Sequence, residues 1–301
     1  ALFRLRKKIG EEPFLLLNAD AAFDVDFNRM VAFHKNHGGL VTLFTHPNSH
    51  PYDSGLIIAD ENGHVEKWLA KEDERPQWYD NRVNAGLHVI DPKALDISLK
   101  SLEINNESGF PQGKVDLDRQ ILKPLCGSNM MFCYDSPEYV KDMGTPERFH
   151  QVEADYKNGV VQAKNLTNKQ KAIFLDRDGT INKYVGFLRY IDDFELIEGV
   201  AEAIKLINQS GYLAIVVTNQ PVIARGEVTW DELKEIHKKM ATLLGKEGAY
   251  VDGIYICPHH PDKGFEGERP EYKIDCDCRK PKPGLLLQAA KDFNIDLSES
   301  Y

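Results

Sequence analysis

The spacing of apolar and polar positions predicts a strand and helix rhythm that runs through the chain twice. Phe14–Leu17 is a short apolar run ending at Asn18-Ala19-Asp20, the pattern of a buried parallel strand that stops at a carboxylate. A helical stretch over 28–35, a break at Gly38-Gly39 and a strand over 40–45 complete a β-α-β unit. Further strands are expected at 55–58, 65–69 and 85–90 and near Met131 and Tyr139, with helices over 117–125 and 146–156. The polar stretch 157–171 lacks aromatics and reads as a linker.

The rhythm then restarts. Strands over 172–175, 213–217 and 253–256 alternate with helices over 199–209, 230–244 and 283–293. Such alternation implies a parallel, doubly wound sheet, in which ligands sit at the carboxyl ends of the strands. The expected class is α/β with two domains, at residues 1–150 and 171–301, joined by a linker over 151–170. The length of 301 residues agrees, because domains usually run ~100–200 residues.

Composition narrows the function classes. A net charge of -10 disfavours nucleic-acid and anionic-membrane partners, and no apolar run approaches the ~20 residues of a membrane span. Three of five cysteines crowd between Cys257 and Cys278 beside two histidines, which suggests a metal clip in a reducing, cytoplasmic setting over a disulfide framework. Cys126 and Cys133 read as packing residues. The chain opens inside a helical pattern and closes on the approach to an expected strand, so both ends look cut. Oligomeric state is not legible.

The strand at 172–175 delivers Asp176-Arg177-Asp178-Gly179-Thr180 to its C-terminal end. Carboxylates two residues apart on an extended segment point the same way and can converge on one phosphate and one cation. This run resembles the first motif of the haloacid dehalogenase-like phosphatases. The resemblance implies that Asp176 attacks phosphorus, that Asp178 protonates the leaving oxygen and later activates water, and that Mg²⁺ is held by Asp176 and Asp178. Thr218-Asn219-Gln220, after the next strand, matches the second motif, whose hydroxyl and amide hold phosphoryl oxygens. Arg279 and Lys280 supply the fixed cations of a third, on a loop stiffened by Pro281 and Pro283. The segment 184–190 is expected to line the substrate mouth. Pro221-Val222 stand where relatives carry Ser-Gly, and the family's fourth, acidic motif is expected beyond Tyr301.

Cys257-Pro258-His259-His260 and Cys276-Asp277-Cys278 form two ligand pairs suited to tetrahedral, structural zinc. Spacing leaves His259 and His260 as competitors for the fourth ligand. The resemblance selects Cys257, His259, Cys276 and Cys278, and narrows to the heptose-bisphosphate phosphatases and histidinol-phosphatases over 171–301.

The first half resembles the sugar-phosphate nucleotidyltransferases. Asp20, at the end of the first strand, and Asp142, in Val140-Lys141-Asp142-Met143-Gly144-Thr145-Pro146, match their Mg²⁺-binding aspartates. Asn84 and Gly86 in Asn84-Ala85-Gly86 match the sugar-binding strand. Lys71 remains a substrate contact in Ala70-Lys71-Glu72, where relatives carry Glu-Lys-Pro, so the sugar-contacting glutamate is lost. Their glycine-rich nucleotide loop would lie upstream of Ala1. The expectation is a sugar-bisphosphate phosphatase coupled to a domain that uses the resulting sugar phosphate, with a nucleoside triphosphate as a candidate partner. Histidinol phosphate as substrate, and a first domain that only binds, are the alternatives.

Overall fold

The computed structural model describes residues 2–102 and 114–301. Helix α1 (Leu2–Ile9) leads into β1 (Phe14–Leu17), β2 (Ala21–Asp24), α2 (Phe27–His37), β3 (Val41–His46), β4 (Leu56–Ala59), β5 (Val65–Leu69), β6 (Val83–Ile90), α3 (Pro92–Ser101), β7 (Met131–Asp135), β8 (Tyr139–Asp142) and α4 (Pro146–Lys157). One mixed sheet runs β5-β4-β6-β3-β7, with β1 also on β6, while β2 and β8 form a separate ribbon. The protein is a two-domain α/β protein. This mixed sheet is followed by a parallel Rossmann-like one.

The first strand departs from the expected buried parallel strand. β1 pairs antiparallel with β6, Phe14 opposite Ile90 and Leu17 opposite Leu87, and its side chains alternate, with Leu15 and Leu17 left exposed. β3 runs along the opposite edge of β6, with Val41 also opposite Ile90, so β1 and β3 share a direction with an antiparallel strand between them. The crossover helix α2 starts on the Asp26 side chain, which accepts from Asn28 N, and ends at Gly38 in the left-handed region. Its Met30 and His34 are buried. The expected helix at 117–125 is a wide helical turn over Leu117–Leu122 and a tight one over Lys123–Leu125, because Pro124 cannot continue the hydrogen-bond ladder.

Residues 157–171 are packed and do not form a free tether. They contain α5 (Val160–Ala163), bury Val161 and Leu166, and fold around Gln170, whose Nε2 donates to the carbonyls of Ala163, Asn165 and Asn168.

The second sheet is β9 (Ala172–Leu175), β10 (Leu213–Asn219) and β11 (Gly253–Cys257), all parallel, in the order β11-β10-β9. Helices α6 (Val200–Gln209), α7 (Trp230–Lys246) and α8 (Gly284–Asp292) pack against it. A capping box between Thr229 and Glu232 starts α7. Its buried stripe, Leu233, Ile236, His237, Met240 and Leu244, recurs at the helical period and covers the sheet. The outer side of α7 meets the first half, where Tyr79 N donates to Thr242 Oγ1 at 2.9 Å and Lys234 pairs with Glu61. Among the described residues no helix is long and apolar enough to cross a membrane.

Candidate active site and metal clip

β9 and β10 end side by side, and their termini place Asp176, Arg177 and Asp178 opposite Thr218, Asn219 and Gln220. The two carboxylates occupy different settings. Asp176 is half exposed; one oxygen accepts from Arg177 N at 2.8 Å, and the other meets Lys280 Nζ at 2.7 Å. Asp178 is sequestered. Its oxygens accept from Arg177 Nε and Nη2, from Gln220 Nε2 at 2.8 Å and from Asn182 Nδ2 at 3.1 Å.

Arg177 organises this side. It is fully buried and also donates to Gln220 Oε1 at 2.9 Å and to His237 Nε2 at 3.1 Å. Burial and the adjacent guanidinium push the His237 pKa down to about 3, so the ring is neutral and accepts. Gln220 completes the network, because Nε2 also reaches Thr218 Oγ1 at 2.8 Å. The sequence reading passed over both Arg177 and His237. The signal for Arg177 was a charged residue between two carboxylates, while His237 stands on a buried face reached only through the fold.

Lys280 is fixed by its surroundings. Its Nζ donates to Val217 O at 2.8 Å, and its backbone N–H and carbonyl are both taken by the Asn219 side-chain amide, at 3.0 and 3.2 Å. Asn219, expected at the phosphoryl oxygens, therefore anchors the cationic loop. Arg279 is not brought to Asp176. Its Nη1 turns to the His259 carbonyl at 3.0 Å. Tyr184 and Tyr190 stand exposed on the segment expected at the mouth, with Tyr184 beside Gly179. Arg225 lies over the rings of Phe187 and Phe265, at 4.1 and 4.3 Å.

The clip assembles from the end of β11 and the loop before α8. The ligand atoms of Cys257, His259, Cys276 and Cys278 all lie within 4.8 Å of one another. Cys278 Sγ is 3.2 Å from Cys257 Sγ, 3.1 Å from Cys276 Sγ and 3.2 Å from His259 Nδ1, and all three cysteines are free thiols. Three sulfurs and one imidazole at this separation suit one tetrahedral ion, whose ligands would stand ~3–4 Å apart. His260 is outside the cluster, edge-on to Phe265. Gly284 explains the glycine of CRKPKPG: a Cβ there would lie 2.4 Å from Asp277 O, so only glycine lets α8 begin against the clip.

In the first half, β2 pairs with β8 so that Ala21 stands opposite Asp142, and Met143 N donates to Asp20 O at 2.8 Å. Asp20 and Asp142 are thereby brought together at one ribbon end. Asp142 also accepts from Gly144 N at 2.6 Å and pairs with Arg148. Asn84 and Gly86 lie on β6. Gly86 has φ +75°, and a Cβ there would lie 2.5 Å from Asn18 Nδ2. Lys71 is exposed and pairs with Asp53, which lines the same cavity as Asn84 and Asp142.

Residues 1–159 match the family described as nucleotidyl transferase. D-glycero-β-D-manno-heptose-1,7-bisphosphate 7-phosphatases of Haemophilus ducreyi and Pasteurella multocida are 48% and 49% identical over 133 residues. The matches cover 44% of this chain and 70% and 69% of theirs. The chain belongs to both families. A crystal structure of D,D-heptose 1.7-bisphosphate phosphatase from B. bronchiseptica, complexed with magnesium and phosphate, is 36% identical, with a TM-score of 0.37. That match covers 42% of this chain and 66% of the solved one, just under two thirds.

Proposed function

We propose that the half carrying Asp176 and Asp178 removes the 7-phosphate of D-glycero-D-manno-heptose 1,7-bisphosphate through an aspartyl-phosphate. In this reading the other half takes the resulting sugar 1-phosphate, in cytoplasmic synthesis of a nucleotide-activated heptose for lipopolysaccharide. The carrying observation is the unequal setting of the two carboxylates: Asp176 exposed beside a fixed ammonium, Asp178 held by Arg177, Gln220 and Asn182.

In this reading Asp178 first takes up a proton from solvent when the dianionic substrate binds; Asp176 then attacks phosphorus as the ester P–O bond breaks, and Asp178 gives that proton to the departing oxygen. Asp178, now a carboxylate, draws a proton from the water that hydrolyses the phosphoryl-aspartate. Lys280 faces the charge that builds on the phosphoryl group, and its two anchors keep it there without reorganisation. The paired carboxylates are the hard oxygen donors that Mg²⁺ takes; when bound it would offset the repulsion between Asp176 and phosphate. Zn²⁺ in the Cys₃His clip would fold the loop bearing Lys280. Thr218, with its hydroxyl beside Gln220, remains the proposed phosphoryl contact.

Phosphate release by the full chain from a panel of heptose bisphosphate, hexose bisphosphates and histidinol phosphate tests the substrate. The heptose bisphosphate is expected to give the highest kcat/KM, and preference for histidinol phosphate would overturn the assignment. One observation favours a first half that binds without catalysing: both Asp142 oxygens already have partners, in Gly144 N and Arg148. Nucleotide-sugar formation by the full chain would exclude that second reading.

A further inference from the structure

A cavity of about 700 Å³ lies between the two halves, walled by Asn84 and Asp142 on one side and by α6 and the turn carrying Gly248, Tyr250 and Asp252 on the other. The two walls meet closely. A Cβ built on Gly248 would lie 3.6 Å from Ser49 O of the first half and 3.5 Å from Lys205 Cε of the second.

The acidic groups of this cavity are matched. Asp53 faces Lys71, Asp142 faces Arg148, and Asp155 faces Lys141 at 3.1 Å. Glu138 accepts from the backbone N–H groups of Asp26 and Leu166. Asp252 accepts from Ala214 N at 2.8 Å and feels the buried ammonium of Lys164. Lys205 is different. It lines the cavity half-buried, and its ammonium has no hydrogen bond or ion pair among the described residues. On the first half's wall, Asn84 uses Oδ1 to accept from Gly86 N, and its Nδ2 has no partner among the described residues. An unmatched cation and a free amide donor lining one cavity of ligand size form the arrangement that takes one phosphate and the hydroxyls of an attached ring.

We propose that this cavity is a phosphosugar site shared by the two halves, in which Lys205 of the phosphatase half pairs with the phosphate of a sugar 1-phosphate and Asn84 meets its ring. The proposal rests on the reading of the first half as a sugar-phosphate domain, and adds that this site is completed by the phosphatase half. One unmatched cation among the described residues of the cavity suits a monophosphate better than a triphosphate, and the monophosphate is the product that the phosphatase step would supply.

Calorimetric titration of the full chain with D-glycero-D-manno-heptose 1-phosphate, beside phosphate release from the bisphosphate, tests this. Lys205→Ala is expected to weaken binding roughly tenfold or more, the scale of a lost charge-assisted bond, and Lys205→Arg to recover most of it. Phosphate release should be unchanged in both. Equal affinity in Lys205→Ala, or no binding by the unaltered chain, would overturn the proposal. Intact binding without phosphate release would overturn only the phosphatase assignment.

Discussion

Replacing Arg177 by methionine removes the centre of the network behind the site while keeping an unbranched side chain in its place. The guanidinium is fully buried and donates to three acceptors, Asp178, Gln220 Oε1 and His237 Nε2. Its loss leaves a largely buried carboxylate facing no cation, and removing one partner of such a pair costs ~3–5 kcal/mol. The orphaned amide oxygen and imidazole nitrogen add roughly 1–3 kcal/mol each where no water replaces the donor. Arg177→Lys keeps the charge but cannot reach three acceptors from one point, so it should fall between. Two-state melting is not assured for a two-sheet chain. Amide hydrogen exchange of β10, whose Ile215 and Val216 are fully buried beneath the site, reads the local free energy directly. Protection there should drop by at least ~3 kcal/mol in Arg177→Met. A loss below ~1 kcal/mol, the scale of an exposed pair, would refute the view that Arg177 holds the network together.

Three further outcomes follow from other parts of the molecule. His88 has both ring nitrogens buried without partners among the described residues, and burial pushes its pKa to about 4 from an ordinary 6.5. The unfolded chain therefore gains the proton first as pH falls, and stability is lost from about 6.5 down to about 4. The stability of His88→Leu relative to the unaltered chain should accordingly rise by about 1.6 kcal/mol between pH 6.5 and pH 5, and an unchanged difference in urea denaturation would contradict a neutral buried imidazole. Gly86→Ala, forced to φ +75° with a Cβ 2.5 Å from Asn18, should cost ~1–3 kcal/mol, seen as a lower thermal midpoint; an unaltered midpoint would mean the turn can relax. Elemental analysis of purified protein should give about one zinc per chain, lost in Cys276→Ser, and a zinc-free unaltered chain would remove the clip's proposed ion.

Much of the second sheet was legible because its strands are apolar runs bounded by glycine and by charged loops, and parallel order follows from the intervening helices. The clip was also legible, since cysteine and histidine spacing survives without knowledge of the fold. Spacing alone left His259 and His260 as competitors, because neighbouring residues differ only in which way the chain turns; the resemblance picked His259, and the fold brings it to the thiols. The roles around Lys280 were harder. The resemblance put a cation of this loop at the phosphoryl group, but a lysine in a basic run does not announce that Asn219 will hold its backbone, or that Lys280 and not Arg279 will reach Asp176. In the first half, β1 is apolar enough to pass for a buried strand, yet tertiary pairing put it against β6 with alternate side chains exposed. Helix α3 was missed although Asp91-Pro92 is a start signal: the Asp91 side chain accepts from Lys93 N, and Pro92 occupies the first turn. The polar segment after α4 resembled a linker because its few apolar residues, Val161 and Leu166, find their packing partners only in the folded chain.

The measurement that bears most directly on the phosphatase assignment is acid quench of the working enzyme with bisphosphate substrate, followed by peptide mass analysis. A phosphoryl group should be found on Asp176, and Asp176→Asn should lose both the adduct and phosphate release while keeping its secondary structure by circular dichroism. Near-normal turnover in Asp176→Asn would contradict the account.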